Sequence, residues 1–317
     1  MTDSKFPKFD RSKLKLRSIK TRTSKEKVET FAKPIGIPNF EKFLDSLPKI
    51  LASKNLNLFL EEIAKNYNTN GRFILGMGAH PIKCGLAPIL IKLMEEGIIS
   101  AIATNGATII HDAELALFGE TSEDVAKELE TGTFGLTQET GDFLNEAINS
   151  NSKLGLGEAV GKSLLEANPE FVEFSLVAKA YELNVPFTSH VAVGTDIIHQ
   201  HLSADGEKIG EKSYADFLIF AEQVKELGEQ GGIFMNLGSA VLMPEVFLKA
   251  FSMSRNLGID FENLVCANFD MINSYRVWEN VLRRPGGKFF NFIGHHEIMI
   301  PLLYAGIENK IFDKNES

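Results

Sequence analysis

A chain of 317 residues is long enough for one large α/β domain or two smaller ones, and a hydrophobic fraction of 44% supplies a core. Its formal charge of −9 argues against a general nucleic-acid binder. Two distant cysteines, Cys84 and Cys266, form neither a zinc pattern nor a disulfide framework, no apolar run reaches the roughly 18 residues of a membrane span, and the N-terminus lacks a signal-peptide core. A soluble cytoplasmic protein, with no membrane or nucleic-acid partner, is the expectation.

Residues 1–33 carry eleven Lys/Arg against four Asp/Glu, which leaves a net charge of −16 on the remainder. The simplest reading is a solvated or partly ordered tail. A basic arm on an acidic neighbouring subunit is second, and an RNA- or membrane-seeking arm third. Residues 34–317 then read as a single domain. Residues 34–38 (PIGIP) are a hinge or an extended turn. Phe40, Phe43, Leu44 and Leu47 make an amphipathic helix that Asn39 can cap. Residues 51–67 make another, with Leu58, Ile63 and Ala64 toward the core.

Residues 73–77 (FILGM) and 98–103 (IISAIA) are too short for helices and read as buried strands. Between them Leu86, Ile89, Leu90, Leu93 and Met94 repeat at helical spacing, giving the strand–helix–strand unit of a parallel sheet. A helix over 109–117, a turn at 119–122 and a solvent-facing helix over 123–130 follow. Residues 132–135 (GTFG) are a flexible loop, and 137–167 are helical in composition, either a lid or a surface excursion. A helix at 169–181 leads to a strand within 185–193. The rhythm repeats with a helix at 214–227, strands at 233–237 and 264–268, a helix from 244 to 256, a last strand at 288–293 and a helix at 298–303. About six strands alternating with helices predict one doubly wound, mostly parallel Rossmann-like α/β sheet with helices on both faces.

Small residues close several strands: Gly78 and Ala79 before His80, Thr104-Asn105-Gly106 after the second strand, and Gly238-Ser239 after the fourth. Such loops let a ligand approach bare backbone beside a helix N-terminus, which suits a pyrophosphate or ribose. Neither GxGxxG nor GxxxxGK[ST] occurs. His111-Asp112, in the first turns of the next helix, can act as base and orienter. His295 and Glu297 follow the last strand and can contact a cation. Asp196, His199 and His201 offer metal-ligand types, although polar contacts to a substrate or neighbouring subunit are the preferred reading and no metal is assigned. Arg276, Arg283 and Arg284 around Trp278 read as surface ion-pair residues.

The stretch FILGMGAHPIKCGLAPILIKLMEEGIISAIATNGATIIHD resembles the deoxyhypusine synthase family. Residues 78–85 and 104–107 match its glycine-containing loop and its Thr-Ala-Gly-Gly-like turn, and His111-Asp112 stand where members tend to carry acidic residues. GTFG, VPFTSHVAVGTDI with Asp196, and NLGSAVLMPEV are further, order-dependent matches, so that the resemblance spans about 38–294. It implies a Rossmann-like fold that binds NAD between subunits of a homotetramer, and a small cationic amine substrate such as spermidine. It also implies transfer of an aminobutyl group to a protein lysine or a small amine, the acceptor being unknown. An N-terminal arm that covers a neighbour's site would fit the basic stretch. On this reading Gly78, Ala79, His80, Thr104, Asn105, Gly106, Asp196, Gly238 and Ser239 surround NAD, while His111, Asp112, His295 and Glu297 meet the amine or shuttle protons. The family's imine-forming lysine is missing: Met243 or Glu245 holds its place, with Lys249 and Lys83 as possible substitutes. A non-catalytic NAD-binding or assembly protein and a metal-dependent hydrolase using His199, His201 and Asp196 are the alternatives.

Overall fold

The computed structural model describes residues 11–34, 40–150 and 153–312. Asn39, the expected helix cap, and part of the PIGIP hinge lie outside them. Residues 11–34 lie on the domain itself. Arg11 donates to the carbonyls of His199, His201 and Ala204 at 3.3, 2.7 and 3.1 Å. Arg17 pairs its backbone with Leu136 and Gln138. Strand β1 (Ser24–Lys27) then adds a backbone pairing, described below. This segment is therefore a strap across its own chain and no solvated tail.

Helices α1 (Phe40–Ser46) and α2 (Leu51–Asn68) follow. The buried side of α2 is Leu56, Phe59, Leu60 and Ile63, while Leu58 is 39% exposed. Leu58 was expected inward, but the side facing the sheet runs through 56, 59, 60 and 63, as helical geometry requires. Next come β2 (Arg72–Met77), the single turn α3 (His80–Lys83), α4 (Ala87–Glu95), β3 (Ala101–Asn105) and α5 (Gly106–Phe118). Gly119, at φ 69, ends α5 in the left-handed conformation that glycine adopts without strain.

Residues 120–123, expected as part of a turn and helix start, form β4 (Glu120–Glu123), which pairs antiparallel with β1 in the register Glu26↔Thr121. Both strands are polar, so no apolar alternation announces them. After α6 (Val125–Thr131) come α7 (Gln138–Asn149), α8 (Leu156–Ala167), α9 (Leu176–Glu182) and β5 (Phe187–His190). The long α10 (Gly206–Gln230) precedes β6 (Gly232–Leu237), α11 (Leu242–Asn256) and β7 (Leu264–Asp270). A turn, α12 (Tyr275–Val277), continues into a π-helix over Trp278–Arg283, and β8 (Lys288–Ile293) and α13 (His296–Ile311) close the described chain.

Six strands form one parallel sheet in the order β5-β3-β2-β6-β7-β8. Numbered along the chain, that is 3-2-1-4-5-6, the doubly wound order whose direction reverses between the first and fourth strands, here β2 and β6. One face packs on α2, α4, α5, α8, α9 and α13, the other on α10, α11 and the π-helix. The expected α/β fold with helices on both faces is what the chain adopts. Among the described residues no helix is long and apolar enough to cross a membrane.

In the second core Phe234 and Phe247 stack at 3.8 Å and 3°, both fully buried. Truncation removes a large apolar contact and leaves a cavity under β6. Phe247→Ala should cost about 3–5 kcal/mol of unfolding free energy, read from the midpoint shift in urea at unchanged slope.

Candidate active site

Ligands of doubly wound sheets sit outside the carboxyl ends of the strands. Two cavities of about 250 and 610 Å³ lie there and share Lys83, Ser122, Glu123 and Val125, so they form one cleft. A further cavity of about 330 Å³ lies at the opposite, amino edge, around Lys65, Gly231 and Lys288, and its described lining carries no histidine.

The smaller cavity is built on α5. His111 and Glu114 stand three residues apart, on one side of that helix, and both line the cavity with Glu123 of β4 and Asp196 of the loop after β5. Glu114, Glu123 and Asp196 are all buried. The first two are answered by cations from the strap. Arg22 reaches Glu114 at 2.6 Å, and Arg17 reaches Glu123 at 2.8 Å while also pairing with Glu128. Glu114 further accepts from Thr140 and Thr121 at 2.9 and 2.6 Å. His111 Nδ1 meets Thr121 Oγ1 at 2.8 Å, and burial pushes its imidazole down to about 4.

Asp196 sits at the N-terminus of α5. Gly106 makes room for it, since a Cβ there would overlap the carboxylate. Burial pushes Asp196 up to about 6. Its ring neighbour His199 lies 3.8 Å away and accepts from the backbone N–H groups of Gly194 and Asp196 at 3.1 and 3.2 Å. Burial holds that imidazole below its usual range, so it adds no full positive charge at neutral pH.

Other expected site residues have different places. Asn105 caps α5, accepting from Thr108 N at 3.0 Å, and the Thr104 hydroxyl donates to the Met77 carbonyl at 3.0 Å. Asp112 points away from the cleft into the core, where it accepts from Ser175 Oγ and the Leu176 and Val177 N–H groups at 2.5, 2.7 and 3.3 Å and fixes the start of α9. Gly78, Gly238 and Ser239 meet at the switch point. A Cβ on Gly78 would strike the Gly238 carbonyl, and Ser239 Oγ accepts from Met243 N at 3.2 Å. Ala79 precedes α3, which carries His80 into the larger cavity beside Lys83, Cys84 and Glu297. His295 is exposed, 3.9 Å from Glu297.

Sequence reasoning passed over His296, Glu114, Glu123, Thr121 and Arg22. His296 is the buried member of its pair: its ring covers Gly238, lies 5.5 Å from the His80 ring, and donates from Nε2 to the Phe269 carbonyl at 3.3 Å. Only the three-residue spacing of His111 and Glu114 was a usable signal. Met243 is in the core, and Glu245 pairs on the surface with Lys249 and Arg276. Of the lysines weighed for imine chemistry, Lys83 lines the cleft and Lys249 stands outside it. His201 bonds the Gly135 carbonyl at 2.9 Å. Among the described residues no three His, Cys, Asp or Glu side chains gather as metal ligands.

No protein-family model and no curated protein sequence matches the chain. Solved structures share its fold. A candidate deoxyhypusine synthase from Entamoeba histolytica is 13% identical with a TM-score of 0.53, covering 88% of this chain and 96% of that one. A conserved candidate LOR/SDH protein from Methanococcus maripaludis S2 is 17% identical with a TM-score of 0.51, covering 83% and 71%. AgrE, solved as a ternary complex with ornithine and NAD+, is 13% identical with a TM-score of 0.52 over 84% of this chain, which spans only 34% of AgrE. At such identities the likeness shows the fold alone.

The raised carboxyl of Asp196 sets a pH dependence. A carboxyl whose folded value exceeds its unfolded value stabilises the protein fully below the unfolded value and ceases to do so as pH rises through the folded one. Relative to Asp196→Asn, the wild type should lose on the order of 2–3 kcal/mol between about pH 4 and pH 6, measured by urea unfolding at a series of pH values.

Proposed function

We propose that the protein is an NAD-dependent enzyme that oxidises a small cationic amine in this cleft. The observation that carries the reading is the smaller cavity. Asp196 and a neutral imidazole line it, beside Glu114 and Glu123, which Arg22 and Arg17 already answer, and it opens into a larger space on the carboxyl edge of a doubly wound sheet. The Asp196 carboxylate, which no strap arginine answers, favours a cation in such a poorly solvated cavity. AgrE, which shares the fold, is solved with an amine-bearing amino acid and NAD+, which supports the pairing of ligands.

The residues at the switch point fit a dinucleotide. Gly78 and Gly238 keep the floor there as bare backbone. Two buried polar atoms, Asn236 Oδ1 and His296 Nδ1, have no partner among the described residues. Gly78, His80, Gly238, Ser239, Asn236 and His296 would hold the cofactor. NAD, when bound, supplies the hydride acceptor. Asp196, with a carboxyl near neutrality, takes one proton from the substrate ammonium. That frees the nitrogen lone pair, which forms the carbon–nitrogen double bond as the adjacent carbon gives up hydride. His111 accepts an N–H bond from the amine and orients it, and Glu114 holds His111 in place through Thr121. A second reading, NAD binding without turnover, is favoured by one observation: of the two residues that stand for the resembling family's lysine, Met243 is packed in the core and Glu245 is paired on the surface with Lys249 and Arg276.

Calorimetric titration with NAD, with and without spermidine, together with absorbance of the reduced cofactor, tests the proposal. NAD binding strengthened by spermidine and accompanied by reduction is the expected result. Asp196→Asn should slow reduction at least ~100-fold while NAD still binds. Binding without reduction selects the second reading. Folded protein that binds no NAD removes both.

A further inference from the structure

The hydrogen bonds around His111 decide which of its nitrogens carries the proton. Glu114 is paired with Arg22 at 2.6 Å, and its carboxylate also accepts from Thr140 and Thr121. A threonine hydroxyl has one proton. Thr121 gives it to Glu114 Oε2 at 2.6 Å, so toward His111 Nδ1, 2.8 Å away, Thr121 Oγ1 can only accept. Nδ1 must therefore be the N–H nitrogen, and a neutral imidazole with Nδ1–H carries a lone pair on Nε2. Burial keeps the ring neutral at physiological pH. His111 lines the cavity, and Nε2 is not among the buried atoms lacking a partner.

We infer that Arg22, Glu114 and Thr121 are positioning residues that hold His111 as a hydrogen-bond acceptor toward the cavity, which makes it select ligands carrying an ammonium or N–H donor. The amine-oxidation reading supplies the ligand class, whereas the relay stands on the bonds alone. The groups around the ring are Glu114 from its own helix, Thr121 and Glu123 from β4, Arg22 from the strap, Lys83 from the end of α3 and Asp196 from the loop after β5. Glu114 favours a charged ring, while Lys83, Arg22 and above all burial oppose it. Reversing the relay would present an N–H to the cavity and leave two donors facing each other, His111 Nε2 and the substrate ammonium.

Nitrogen NMR of isotope-labelled histidines at neutral pH reads the tautomer without any ligand. His111 is assigned by the resonances missing from His111→Gln. The expected spectrum has the proton on Nδ1 and a bare Nε2. Thr121→Ser should keep both that pattern and the affinity for spermidine. Thr121→Val should shift the proton toward Nε2 and weaken spermidine about tenfold in calorimetry, with NAD affinity unchanged. A wild-type ring protonated on Nε2 overturns the inference, and so does a folded Thr121→Val with wild-type tautomer and affinity. The Nδ1–H form in a protein that binds no amine supports the relay and overturns the amine-oxidation reading, so the two failures are distinct.

Discussion

The ion pair between Arg22 and Glu114 is the interaction on which the site depends. Both partners are buried, and Glu114 accepts from donors on three other elements: the strap, β4 and α7. Such a pair adds little net stability, because desolvating two charges offsets most of their attraction, yet removing one partner strands the other. That asymmetry makes the strap obligatory. Without Arg22 the carboxylate would lie uncompensated against α5, and the orientation of His111 would lose its anchor. Part of the charge division seen in composition is thus an internal arrangement, in which Arg17 and Arg22 of the strap answer Glu114, Glu123 and Glu128.

Topology determines where those carboxylates are useful. With the sheet ordered 3-2-1-4-5-6, the loops after β2 and β6 diverge to opposite faces, while β3 and β5 lie side by side to one flank. The first pair supplies a glycine floor. The second brings the start of α5 against the loop carrying Asp196. Gly106 permits that contact only because it lacks a Cβ, since any larger residue would displace the carboxylate.

Much of the sheet could be read from the chain because its six strands are short apolar runs between turn residues, and such runs reflect burial on both faces. Strand order and long-range placement are different in kind. The sequence SKEK and the sequence ETSE carry no alternation, so β1 and β4 are defined by each other and by no local pattern. His111 and Asp112 are neighbours in sequence but about 100° apart around the helix. One lines the cleft and the other caps α9. The small-residue loops read as places where a ligand meets bare backbone, but Thr104 and Asn105 serve the turn itself through the Met77 carbonyl and the Thr108 N–H. At the last strand the buried histidine is His296, because it is the one that starts α13 over Gly238 while His295 faces solvent.

A helix N-terminus at the carboxyl edge of such a sheet is ordinarily a place for phosphate, since its free N–H groups and dipole favour negative charge. At α5 that place is already held by Asp196, with Asn105 taking the Thr108 N–H. A phosphate brought there would meet the buried Asp196 carboxyl. The edge is therefore divided by charge. On the proposed reading the β3–β5 side takes the cation and the β2–β6 side, with its bare glycine backbone, takes the nucleotide. Such a division would keep an ammonium and a pyrophosphate, which carry opposite charge, in separate neighbouring places.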